Sequence, residues 1–243
     1  MVIDHAAVGL IEQSELASGV AWSLCGTAMR LMGRVAFPLF AFMIAEGAVH
    51  TRDRRRYALR LLLLAVISEI PFDLVAGGTW LFPADQNTVF TLLLGLLAVW
   101  AGDLICGTGS GVSYGNREKT GDGGRKAVGQ RRFPLEYERY IRVLAAVPFG
   151  LAAYCLKTDY GFMGVLLIVI LYTLRTEPQL RTAVCAVFLF CMYMDFYGAA
   201  ACVAIFLINR YNGEKGGGSG RIFYLFYPLH LLVIRGIKMA VGL

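Results

Sequence analysis

Hydrophobic residues in this 243-residue chain come in blocks of about 15–20 positions, separated by short polar loops. A block of that length is typical of a helix that crosses a bilayer, whose hydrocarbon core takes about 20 apolar residues. We predict spans over residues 33–49, 57–75, 88–106, 140–156, 162–174, 183–194, 199–208 and 222–243. The pattern therefore predicts an all-α, polytopic integral membrane helix bundle of about eight or nine transmembrane helices.

The first residues form a shorter block than the others. VIDHAAVGLI has about 11 apolar-leaning positions, too few to span a bilayer. Either the start codon is misplaced and half a helix is missing, or the chain begins inside the bilayer. The amphipathic segment Glu15–Met32 that follows predicts an interfacial or re-entrant helix.

Composition agrees with the membrane interpretation. The chain is 57% hydrophobic and 16% charged, whereas soluble domains average about 45–50% and about 25%. A disordered chain, a collagen and a disulfide-rich secreted scaffold are excluded. The six cysteines form no CxxC pair and have no histidines at zinc-ligand spacing, so we interpret them as packing residues and predict no metal site.

The net charge of +6 is unevenly distributed. Eighteen of the 23 Lys and Arg residues lie in four loops, 51–60, 107–142, 175–181 and 209–221. With the predicted spans, all four loops fall on one side of the membrane, which the positive-inside rule makes cytoplasmic. These residues interrupt hydrophobic spans instead of lining a soluble face, so we expect no nucleic-acid partner. We predict one domain over 1–243, with a flexible, basic, Gly-rich cytoplasmic loop at 107–138.

Charged residues within spans are candidates for function, because each costs roughly 2.5–3.5 kcal/mol to insert. Asp4 and His5 are adjacent and point about 100° apart on a helix, so we expect Asp4 to meet another helix. Glu69 and Asp73 share one helix face, and Pro71 between them interrupts the backbone ladder. In each case the alternative is a polar helix end near the membrane interface.

Two further histidines also have two interpretations. His50 follows Glu46 by one turn and precedes the arginine cluster Arg54–Arg56. This region is either a solvated anchor or a cytoplasmic rim that attracts a polyanionic cosubstrate. His230 lies among aromatic residues in FYLFYPLHLLVI, where it is either a hydrogen-bonded packing residue or part of a functional site.

Several segments together resemble the TraX family, the pilin N-acetylases of conjugative transfer systems. The matching segments are IDH at 3–5, GRVAFPLFAFMIAEGAVHTRDRRRY at 33–57, RLLLLAVISEIPFDL at 60–74, QNTVFTLLLGLLA at 86–98, DYGFMGVLLI at 159–168 and FYLFYPLHLL at 223–232. Family members usually have a complete first helix before the IDH segment. The family is similar in outline to the wider set of acyltransferase-3-like integral membrane proteins.

The resemblance implies an activity and a location. Acetyl-CoA would be the cosubstrate, with no bound cofactor, and the acceptor would be an amine: the N-terminus of pilin in the founding family, or another cell-envelope group. The partners would be the lipid bilayer, acetyl-CoA and that acceptor. The protein would be a multi-pass protein of the bacterial cytoplasmic (inner) membrane.

A mechanism follows as a hypothesis. A histidine is a suitable base near pH 7, so His5 would deprotonate the amine, with Asp4 or Arg34 as its partner and His230 also in the catalytic set. His50, Arg54, Arg55 and Arg56 would hold the phosphates of acetyl-CoA, and Glu69 and Asp73 would receive a cationic acceptor. A covalent acetyl-histidine, a small transporter or channel, and a non-catalytic pilus-assembly protein remain alternatives.

Overall fold

The computed structural model describes residues 1–12, 19–108, 132–214 and 220–241, with side chains from Tyr224 onward in the last segment. Within these ranges the chain is helical and forms no strand. The helices are α1 Val2–Ala6, continued by a π-helical turn Ala7–Glu12, then α2 Val20–Arg34, α3 Ala36–His50, α4 Arg54–Ala76, α5 Thr88–Cys106, α6 Leu135–Cys155, α7 Gly161–Thr173, α8 Pro178–Tyr193, α9 Phe196–Asn209 and α10 Gly220–Val241.

The eight predicted spans correspond in order to α3 through α10. Polar caps set several ends: the side chain of Asn87 accepts from the Val89 amide at the start of α5, and Asp195 does the same for α9. The predicted amphipathic segment 15–32 corresponds to α2, and its residues 15–18 lie outside the described residues. Helix α2 ends at Arg34, two residues later than predicted, and only Val35 separates α2 from α3.

Part of the predicted loop 107–138 is helix. Residues 109–131 lie outside the described residues, but α6 begins at Leu135. Pro134 precedes its first turn, and Glu136 and Glu138 lie within it, where carboxylates favour the positive end of the helix dipole. The loop therefore ends several residues before the predicted position.

Among the described residues, three helical stretches are long and apolar enough to cross a membrane, Val20–His50, Thr88–Cys106 and Tyr224–Val241. Helices α7, α8 and α9 are apolar but shorter. Apolar side chains on the outer face of α4, such as Val66 and Ile67, are 56% and 60% exposed, as expected where lipid covers them. The chain is a membrane protein, and a count of eight or nine spans stays a prediction.

Helix α5 is the centre of the bundle. Its Leu96, Ala98 and Val99 are fully buried, and it packs against α3, α4, α6 and α7. At Gly95 an added Cβ would overlap the side chain of Ile168, so glycine lets α5 and α7 approach closely. This close packing fixes the positions of the helices that carry the candidate site.

Asp103 organises the end of the bundle where α4 begins, which we call the basic end. Its carboxylate is 1% exposed and accepts hydrogen bonds from Arg54 at 2.7 Å, from Arg142, and from the Tyr172 hydroxyl at 3.0 Å. Thr108 also donates to it at 3.2 Å. One buried carboxylate thus joins α4, α5, α6 and α7.

Candidate functional site

Two histidines from opposite ends of the chain meet in the bundle. His5 on α1 and His230 on α10 are each 7% exposed, and His5 Nδ1 lies 2.9 Å from His230 Nε2. His230 Nδ1 lies 2.9 Å from the carbonyl oxygen of Phe226, one turn earlier on α10. The two imidazoles are therefore linked to each other and anchored to the backbone.

Aromatic rings surround this histidine pair. Phe72 and Tyr227 each place a ring centroid 6.2 Å from that of His5, in an edge-to-face arrangement. The Phe226 ring stacks on His230 at 5.4 Å. An apolar cavity of about 240 Å³ reaches His230 between α3, α4, α5 and α10. The pair therefore lies in a largely apolar setting, where a proton-transfer group is shielded from water.

The position of His5 depends on how α1 packs against α2. An added Cβ at Gly33 would overlap the Asp4 side chain, so α1 crosses α2 at a glycine. Asp4 pairs with Arg30 at 3.0 Å, and Arg30 also reaches Glu12 at 3.3 Å. Arg34 was predicted as a partner of His5, whereas Arg30, which lies one turn earlier on the same helix and pairs with Asp4, was not predicted.

Arg34 instead contacts a group of tyrosines. Its Nη1 donates to the Tyr160 hydroxyl at 3.4 Å, and its guanidinium lies 5.4 Å from the ring centroids of both Tyr193 and Tyr197. Tyr160 lies in the loop before α7, Tyr193 is the last residue of α8, and Tyr197 lies in the first turn of α9. Arg34 thus lies at the end of the bundle opposite the basic end, where it connects α2 to these tyrosines.

A tightly held loop presents Tyr160. Lys157 and Tyr160 have φ values of 54° and 65°, a region that costs energy for residues with a side chain. Two backbone hydrogen bonds to Gln86 hold the loop in this form. The Gln86 backbone amide donates to the Lys157 carbonyl oxygen, and the Asp159 backbone amide donates to the Gln86 carbonyl oxygen, both at 2.9 Å. Thr88 donates to the Asp159 carboxylate at 2.6 Å. The DYG segment at 159–161 thus positions the residue that contacts Arg34.

Asp159 in this loop has an altered acidity. Burial raises the pKa of its carboxyl to about 6, against the hydrogen bond from Thr88 and the charge of Arg34, which both lower it. The carboxyl therefore changes charge near neutral pH.

The carboxylates Glu69 and Asp73 each have one oxygen held by a neighbouring loop. The Phe82 amide donates to Asp73 Oδ2 at 3.0 Å, and the Asn87 amide donates to Glu69 Oε2 at 3.2 Å. The remaining oxygens, Glu69 Oε1 and Asp73 Oδ1, are buried and have no hydrogen-bond partner among the described residues. Phe72, which contacts His5, lies between these two residues in sequence.

The predicted cosubstrate residues at the basic end have different surroundings. Arg54 is held by Asp103 and stacks 5.7 Å from the Trp100 ring centroid. Arg55 and Arg56 are exposed, and Arg56 pairs with Asp53 at 2.9 Å.

His50 is also exposed, and its Nδ1 lies 2.9 Å from the Glu46 carbonyl oxygen. The structure thus leaves His50, Arg55 and Arg56 accessible and places Arg54 in an internal network. Arg142, the second guanidinium on Asp103, was not among the predicted site residues, because it was counted with the basic charges of 107–142 although it lies in the predicted span 140–156.

Within the described part of the chain, no group of three or more His, Cys, Asp or Glu residues could hold a metal ion. The site is therefore built from two imidazoles, two partly unsatisfied carboxylates and an arginine held among tyrosines. Such a set can move protons and bind a cation.

Comparison with known proteins gives the family. The model of the TraX protein family matches residues 1–108 and 132–238. The chain is also 24% identical over 263 residues to the probable fimbrial assembly protein FimC, serogroup H1, of Dichelobacter nodosus, covering 98% of this chain and 91% of that protein. No solved structure matches. Because the family model covers most of its length, this chain belongs to the TraX family.

Proposed function

We propose that this protein is an acetyltransferase of the bacterial inner membrane, which moves acetyl from cytosolic acetyl-CoA to an amine acceptor. Its helices would form a multi-pass bundle of eight or nine spans, similar in outline to acyltransferase-3 proteins. Membership of the TraX family and the fimbrial relative support a role connected with pili. The observation that carries the proposal is the buried His5–His230 pair.

The chemistry requires a base. An amine is mostly protonated at neutral pH and cannot attack a thioester until it loses a proton. Imidazole is the side chain whose ordinary pKa suits this step. His5 is the proposed reactive group, with His230 hydrogen-bonded to it and the Asp4–Arg30 ion pair fixing α1.

The acceptor would bind at Glu69 and Asp73. A buried carboxylate oxygen without a partner is costly, and a cation removes that cost by donating to it. A primary ammonium has three donors and can reach both free oxygens, since residues four apart share one face of α4. Arg34 and its tyrosines lie at the same end of the bundle and would complete the acceptor side.

The donor would bind at the basic end. His50, Arg55 and Arg56 are accessible there, and guanidinium groups suit the phosphates of acetyl-CoA. Arg54, held by Asp103, would keep the start of α4 in place beneath them.

The experiment is an acetyl-transfer assay with the full chain in lipid nanodiscs. Purified protein receives labelled acetyl-CoA and a peptide with a free N-terminal amine, and the control is the same peptide with its amine blocked. We expect free CoA and label on the free amine only. No transfer to any amine peptide or to an envelope extract, despite folded protein, would refute the proposal.

The alternative is a non-catalytic pilus-assembly protein, and the name of the Dichelobacter relative favours it. In that case the peptide would bind without acquiring label. The double variant Glu69→Gln/Asp73→Asn tests the acceptor site of the enzyme: it should lose affinity for the amine peptide while its affinity for acetyl-CoA stays unchanged. A non-catalytic assembly protein would bind no acetyl-CoA.

A further inference from the structure

We infer that the acetyl group is carried covalently on Nε2 of His5, and that His230 is the positioning residue that takes the proton from His5 Nδ1. This inference rests on the proposed acetyl-transfer function and adds how the group passes between donor and acceptor.

The hydrogen-bond chain fixes which nitrogen reacts. The Phe226 carbonyl can only accept, so His230 Nδ1, at 2.9 Å from it, carries the proton. Neutral His230 then has its lone pair on Nε2, so His5 Nδ1 at 2.9 Å must be the donor. In neutral His5, the proton therefore lies on Nδ1 and the free lone pair lies on Nε2.

This arrangement suits a nucleophile. His5 Nε2 attacks the thioester carbonyl and the carbon–sulfur bond breaks, while the Nδ1 proton passes to His230 Nε2. The result is a neutral acetyl-imidazole, an imidazolium at His230 and a CoA thiolate. His230 then gives its extra proton to the thiolate, so the products of this half are CoA thiol and acetylated His5.

The second half transfers the group to the acceptor. The acceptor ammonium first gives one proton to the free Nε2 of His230, which releases it to water. The neutral amine then attacks the acetyl carbon, the bond from that carbon to His5 Nε2 breaks, and the amide forms. The proton that the amine loses returns through His230 Nε2 to His5 Nδ1, which restores the starting pair. Acetyl-CoA and an amine have then become an amide and CoA, with no other reactant.

The positions of the two binding regions favour separate half-reactions. Arg56 lies in the first turn of α4, and Glu69 and Asp73 lie 13 and 17 residues further along the same helix. At 1.5 Å per residue they are about 20–25 Å away along the axis. Since donor and acceptor groups lie at opposite ends of one helix, a carrier between them allows each substrate to react in turn.

The test is a burst experiment without acceptor. Wild-type protein in nanodiscs is mixed with acetyl-CoA alone, and released CoA is compared with the amount of protein. We expect about one CoA per protein, and peptide mass spectrometry should find one acetyl group on His5, which an added amine peptide then removes. CoA release that strictly requires the acceptor, with transfer intact, would overturn the covalent step and leave the proposed function standing. No release and no transfer under any condition would overturn both.

Variants of His230 test its role separately. In His230→Gln the side-chain oxygen can still accept from His5 Nδ1–H, but it cannot take the proton, so the burst should slow by about 10²-fold or more. Free imidazole should restore part of the rate, which it would not do for a merely structural defect. Gly236→Ala, also on α10 and facing open space, should keep the wild-type burst. A wild-type burst in His230→Gln would refute the proton transfer to His230.

Discussion

Removing the Asp103 carboxylate should destabilise the bundle severely. Asp103 is 1% exposed and is the shared acceptor for Arg54 and Arg142. Arg142 is itself 6% exposed, so in Asp103→Leu its guanidinium would be left buried without its carboxylate partner. Arg54 is more exposed and can turn toward water, so the main cost falls on Arg142.

Breaking a buried ion pair by removing one partner costs about 3–5 kcal/mol. In a chain of this size each kcal/mol lowers the melting temperature by about 2–4 °C, so we expect a loss of about 6–20 °C. In the double variant Asp103→Leu/Arg142→Met, apolar groups replace the pair. It should recover most of this loss, because no charge is left buried alone.

The assay is thermal unfolding of the purified variants in the same nanodiscs, followed by the loss of monodisperse protein. Glu177→Gln is the matched control, because it removes the carboxylate of the half-exposed Arg139–Glu177 pair and should cost less than about 1 kcal/mol. If Asp103→Leu melted like this control, or if the double variant were no more stable than the single one, the assigned role of the network would be wrong.

Two further predictions concern the site. In Gly33→Ala the added Cβ overlaps Asp4, so α1 must shift. We expect the free energy of unfolding to fall by about 1–3 kcal/mol and acetyl transfer to slow. The control Gly236→Ala faces open space and should change neither stability nor transfer. An equally active, equally stable Gly33→Ala would contradict the close packing. The folded-state pKa of Asp159, about 6, lies above the ordinary value of an aspartate. The protonated carboxyl therefore raises the free energy of unfolding at low pH, and this contribution of about 1–3 kcal/mol is lost as pH rises through 6. Melting temperatures at pH 5 and pH 8 should therefore differ less in Asp159→Asn than in wild type, and an unchanged difference would refute this assignment.

The helices could largely be predicted from the sequence, because each buries a continuous apolar block and ends at polar residues. Asn87 and Asp195 are examples: each caps the helix that follows it. Helix α2 was less clear, because its sequence is amphipathic and predicted an interfacial or re-entrant helix. It also carries two arginines, Arg30 and Arg34. Their charges are met by contacts to α1 and to the tyrosines, which no periodicity reveals.

The site was only partly predictable for the same reason. The sequence identified His5 and His230 as candidates, but they are 225 positions apart and nothing local pairs them. Asp4 was expected to meet another helix, and it does so through Arg30 on α2, a residue that was not among the predicted site residues. Tertiary packing, which places α1 between α2 and α10, decides these partners.

The most direct measurement is the rate of acetyl transfer by His5→Gln relative to wild type, with both proteins shown to melt at the same temperature. We predict a loss of about 10²-fold to 10⁴-fold, because the reactive imidazole is gone while the helix that carries it remains. Transfer within about fivefold of the wild-type rate would contradict the role of His5, since that loss is far below what a positioned acid–base group contributes.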